Sequence, residues 1–160
     1  MNLTWVLKRG AVRLTLRVMK VCVSFEDLLQ IHRPQIDEIQ RFGELFSNAA
    51  TAEASQTFAN HLRLLDGTLR QTYREAAALA KRTDDLLEIA EIWSRMSSFC
   101  NRALEAVGSF KDLYPECGAP QVYDLALDYK LACDKRHRGV LEEIECQSAE
   151  FPKGLFPEKI

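Results

Sequence analysis

Apolar side chains recur at alternating steps of four and three through the middle of the chain, and this stripe limits the fold more than any other feature. It begins Phe58, Leu62, Leu65, Leu69, Thr72, Ala76, Leu79. After a step of seven it resumes as Leu86, Ile89, Trp93, Met96, Cys100, Ala103, Val107, Phe110 and Tyr114. That spacing is the heptad seam of α-helix packed on α-helix, and it does not fit the strict alternation of a half-buried strand. A stripe of this width must be covered by other helices, from the same chain or from another.

The seam is interrupted by "KRTDD", residues 81–85. A single helix over 58–114 would be roughly 85 Å long at 1.5 Å per residue. Lys81 and Arg82 sit where a helix C-terminus favours cations. Thr83 is a capping residue, and Asp84 and Asp85 sit where an N-terminus favours anions. Asp85 also precedes Glu88 by three, a relative of the capping box. The sequence therefore predicts a break at Arg82–Thr83. The unbroken phase of the seam keeps one long helix as the alternative.

The flanking segments read as further helices. Ser24 is an N-cap candidate before Phe25, Glu26 and Asp27, and Phe25, Leu29, Ile36, Ile39 and Phe46 follow at helical intervals. Pro34 predicts a kink or a fresh helix start. Residues 47–55, "SNAATAEAS", read as a small-residue connection, and "YPECGAP", residues 114–120, as a loop. Residues 121–137 read as a helix with Val122, Leu125, Tyr129, Ala132 and Cys133 inward. Gly139 is the expected stop, and a short helix over 140–149 follows. The tail 151–160 is irregular and is expected to fold back against the bundle, because Phe151, Leu155 and Phe156 would otherwise be exposed apolar surface. The expected fold is all-α: an antiparallel helical bundle of about four long segments with coiled-coil-like packing, over residues 24–150.

At 160 residues the chain suits one domain with a real core. Seven glycines and five prolines are few for a turn-rich β protein. The net charge of −2 is uneven: residues 1–23 hold Lys8, Arg9, Arg13, Arg17 and Lys20 with no acid, so the remainder carries −7. This basic arm is expected to be disordered or edge-packed, with an amphipathic surface-seeking arm as the sharper reading and Met19 as a candidate alternative start. Nothing in the overall charge draws the chain to nucleic acid or to an anionic membrane. Five widely spaced cysteines without a Cys-x-x-Cys pair suit reduced thiols in the cytoplasm. No run of 18 apolar residues would form a transmembrane segment.

Chemistry-bearing motifs are sparse. A di-iron bundle needs Glu-x-x-His on two helices, and here Asp134 precedes His137 by three once only. Cys133 and His137 stand four apart and share a helix face, yet a core thiol beside a solvated histidine explains them better than a metal. His32, His61 and His137 form no nucleophilic motif with the serines, and no Gly-rich phosphate loop is present. Cys100 and Cys133 fall on apolar faces, where thiols are inert. The basic cluster "KRHRG", 135–139, is explained by a helix C-terminus. No catalytic, cofactor-binding or metal-binding residue is assigned.

Two family resemblances bear on function. "HRPQIDEIQRFGELF", residues 32–46, resembles the first helix of the all-helical chorismate mutases, with Arg33, Ile36, Asp37 and Ile39 in place. Gln40 stands where a second acid belongs and Ala50 where a second arginine belongs, so a dicarboxylate substrate would lack its cations. The wider resemblance covers about residues 25–114 and is to the phasins, the helical proteins that coat polyhydroxyalkanoate granules. "FEDLLQIHRPQIDEIQRFGELF" resembles their Leu-rich first helix, and "SNAATAEAS" the small residues after it. "LRQTYREAAALAKRTDDLLEIAEIWSRM" resembles their alanine-rich helix, break and following helix. The five cysteines, the basic arm and the segments after "YPECGAP" fall outside that pattern. This resemblance implies a non-catalytic amphipathic protein, cytoplasmic and granule-associated. The alternative is an oligomerising or adaptor bundle that binds a partner protein, and a small bundle enzyme is the third.

Overall fold

The computed structural model describes residues 25–46, 52–112 and 115–150. Four α-helices follow one another: α1 (Phe25–Phe46), α2 (Ala52–Ala80), α3 (Leu86–Gly108) and α4 (Ala119–Glu150), with a 3-10 turn at Pro115–Cys117 before α4. No strand occurs among the described residues. The basic arm, Ser24, Phe46's side chain, Tyr114 and the tail 151–160 lie outside what is described.

The heptad stripe folds back on itself. Phe58, Leu62, Leu65, Leu69, Thr72 and Ala76 from α2 are buried in one core with Trp93, Met96, Cys100, Ala103 and Val107 from α3. Phe110, just past α3, meets Phe58 edge-on with ring centroids 6.2 Å apart, and Tyr73 lies 5.9 Å from Trp93 at the other end. The hairpin therefore closes α2 against α3 in antiparallel register. Thr72, polar in an apolar seam, donates its hydroxyl to the Thr68 carbonyl at 2.5 Å, which removes the penalty of an unmet buried group. Leu79, Leu86 and Ile89, nearest the turn, are only half-buried.

The break falls where expected, and its chemistry is Asp85's rather than Thr83's. Asp85 is the N-cap of α3: its carboxylate accepts from the Leu87 N–H at 2.9 Å and the Glu88 N–H at 3.4 Å. Thr83 supports the cap by accepting from the Asp85 N–H at 3.2 Å and donating to the Glu88 carboxylate at 2.7 Å. Two of α3's orphan donors are thereby met.

Three boundaries differ from the sequence reading. Pro34 neither ends nor restarts α1, which runs through it. Pro34 is exposed, as is Gln30 four residues earlier, whose carbonyl loses its partner, so the gap in the ladder falls on the exposed side of α1. Buried Leu29 and Ile36 anchor the helix on either side. The connection expected over 47–55 is shorter, because α2 already includes Ala52 to Ser55 and buries Ala54; alanine-rich sequence extends a helix readily. Gly139 does not stop α4, which continues as one helix to Glu150. A mid-helix glycine costs only ~1 kcal/mol, and the glutamates, leucine and isoleucine that follow are competent helix formers.

Helices α1 and α3 run parallel, since Glu26 pairs with Arg95 and Asp37 with Arg102. Helix α2 is antiparallel to α1, with Phe42 beside His61 and Gln35 bonded to Thr68. Helix α4 is antiparallel to α3, with Asp134 beside Ser97, Arg136 over the Trp93 ring and Lys111 over Tyr123. Among the described residues no α1 Cα lies within 8 Å of an α4 Cα. Helices α2 and α3 thus form the middle of the bundle, with α1 and α4 on opposite flanks. Cys117 ties the 3-10 turn to the start of α2, its sulfur 3.0 Å from the Ser55 hydroxyl.

Candidate functional site

The groups best placed to act on a small molecule come from α1 and α3. Glu26 and Arg33 stand seven apart on α1, and Arg95 and Arg102 seven apart on α3, so each pair shares one helix face across two turns. Parallel packing sets the two faces against each other. A cleft of about 150 Å³ opens between them, lined by Glu26, Arg33, Arg95, Ser98 and Arg102 over the buried side chains of Leu29 and Phe99.

The charges in this cleft hold one another. Glu26 accepts from Arg33 at 2.8 Å and from Arg95 at 2.5 Å. Arg95 also reaches Glu91 at 2.5 Å, and Arg102 reaches Asp37 at 3.1 Å. The Arg95 hydrogen bond and the two guanidinium charges hold the Glu26 carboxyl below the usual carboxylate range against a smaller opposing effect of burial. A carboxylate held ionised is a poor proton donor at neutral pH, and the arginines carry fixed charge. The arrangement suits electrostatic binding rather than proton transfer.

Ile36 and Ile39 of the chorismate-mutase-like segment are core residues, whereas Arg33 lines the cleft and Asp37 pairs with Arg102. The additional cations sought close behind Arg33 are supplied from α3, more than sixty residues on. Cys133 is buried against Cys100, and among the described residues no group of three or more His, Cys, Asp or Glu is placed together. The hydrogen bond to Cys133, reinforced by burial, pushes the Cys100 thiol far up, which leaves it inert at neutral pH. Asp134 is bonded by Ser97 and by Lys130, the latter at 2.6 Å, and makes a polar edge to this thiol pair. The spacing of seven on each helix aligns each pair on one face, but it carries no signal that the two faces meet.

A second hollow of about 350 Å³ lies between α2 and α4, beside Arg63, Asp66, Cys117 and Val122. No described helix is long and apolar enough to cross a membrane. Fold and site together define a class: a four-helix, up-and-down bundle with an arginine-lined cleft. Compared with known proteins, the chain matches no family model, no curated protein and no solved structure.

Proposed function

We propose that the protein is a non-catalytic helical binding module whose partner is another protein, met along α4 beyond Gly139. The observation that carries this reading is the exposure of α4 over residues 139–149, where Val140 and Ile144 are half-buried and Leu141, Glu142, Glu143 and Glu145 are exposed. A helix end that buries little against its own bundle is open to a second surface, and helix-face recognition is a common mode of protein binding. The cleft supports the non-catalytic part of this reading, because its carboxylate is held ionised between Arg33 and Arg95 and is a poor proton donor. Cross-linking in cells followed by mass spectrometry tests it. A specific partner, or a second copy of the chain, with cross-links concentrated in 139–149 is expected. Cross-links confined to other helices, or none to any protein, would contradict it.

A second reading is a phasin-like coat on polyhydroxyalkanoate granules in the cytoplasm. It is favoured by apolar side chains exposed on every helix: Ile31, Leu64, Leu87, and Leu131 with Leu141. The heptad stripe lies inside the closed bundle, so presenting it to a polyester would require the bundle to open. A fluorescent fusion that gathers on granules supports the coat. Diffuse fluorescence in granule-bearing cells counts against it.

A further inference from the structure

We propose that the cleft between α1 and α3 binds a small oxyanion of the phosphate class, either the inorganic ion or the phosphoryl end of a phosphomonoester, through Arg33, Arg95 and Arg102. This site is separate from the protein-binding surface on α4, and its test does not depend on that reading.

Three features point to this ligand. The first is donor supply. Among the described residues, Arg33 and Arg102 each use one N–H on an acid, Arg33 on Glu26 and Arg102 on Asp37, and the rest of each fork meets no described acceptor. Guanidinium forks match the oxygen spacing of phosphates and carboxylates. The second is the internal carboxylate. Glu26 bridges Arg33 and Arg95 at 2.8 and 2.5 Å, so the two guanidinium groups already converge on one oxyanion. The third is the shape and floor of the cleft. Its volume of about 150 Å³ is enough to admit a phosphate-sized ion. Leu29 and Phe99 beneath it are both 2% exposed, and an apolar floor strengthens charge interactions above it. The Ser98 hydroxyl on the rim adds a further donor.

The ion would displace the exposed Asp37 from Arg102 and sit beside Glu26, which opposes it. Removing that opposition is therefore a diagnostic. The full chain is titrated with inorganic phosphate and with phenyl phosphate at constant ionic strength, and the arginine Nε–Hε signals are followed by NMR. Saturable shifts are expected at Arg33, Arg95 and Arg102 and not at Arg136 on α4. Arg102→Gln should weaken binding about tenfold, the loss of one charge-assisted contact. Glu26→Gln should strengthen it several-fold. Equal affinity for the two ligands assigns the site to the free ion, and tighter phenyl phosphate assigns it to a monoester. Shifts that rise without saturation, that Arg136 shares equally, or that neither substitution alters would overturn the proposal.

Discussion

Gly43 lies directly under the ring of Phe110, and a Cβ built there would fall 2.1 Å from that ring's nearest carbon. Phe110 is part of the core, so the ring cannot swing clear without disturbing its neighbours. Gly43→Ala should destabilise the fold by about 1–3 kcal/mol, despite alanine's better helix propensity. Gly67 and Gly139 are the opposite case, mid-helix with no described atom beyond the local helix backbone within 4 Å of an added Cβ. Alanine at either should stabilise by about 0.5–1 kcal/mol. Urea unfolding of the three variants checks both signs. His32 offers a pH test. Its burial on α1 holds its pKa below the usual histidine value, against the opposing charge of Glu75. The folded state then binds this proton more weakly than the unfolded chain does. The stabilising contribution is present above the unfolded pKa and is lost as pH falls through the folded one. Stability should therefore drop on acidification from about pH 7 to pH 5, and His32→Gln should flatten that part of the curve in pH-resolved urea melts.

Among the elements, the α2–α3 turn depends most on one residue. Asp85→Ala should cost about 1 kcal/mol, and Asp85→Ser should recover most of it, both read from denaturant midpoints. The stripe, the break and the all-helical class were legible in the sequence because each rests on local pattern: heptad spacing, cations before the turn and acids after it. The ends of the helices were less legible. Gly139 is a C-terminal signal by itself, yet the residues beyond it favour helix strongly enough that α4 runs on to Glu150. Pro34 is a breaker by itself, yet its position on the exposed face of α1 leaves the buried face continuous. The arginine cleft was hidden for a different reason. Arg33 shares its site with Arg95 and Arg102 only once α1 and α3 pack in parallel, and no local pattern encodes that packing.

For the molecule as a whole, the defining property is that the apolar stripe is consumed within one chain. Seam residues from α2 and α3 fill a single core, and α1 and α4 cover that core from opposite sides. The same stripe in one unbroken helix would need partner molecules to cover it, and the cleft and the exposed α4 end would then have different neighbours. Spin labels at the exposed positions Asn60 and Ser109 distinguish the two forms, with Cys22 and Cys146 replaced so that labelling is confined to these sites. The folded-back hairpin, in which Phe58 and Phe110 touch, predicts a short distance, about 20–25 Å once label length is included. A continuous helix would separate the same positions by roughly 75 Å at 1.5 Å per residue, and a dipolar-coupling distance near that value would contradict the account.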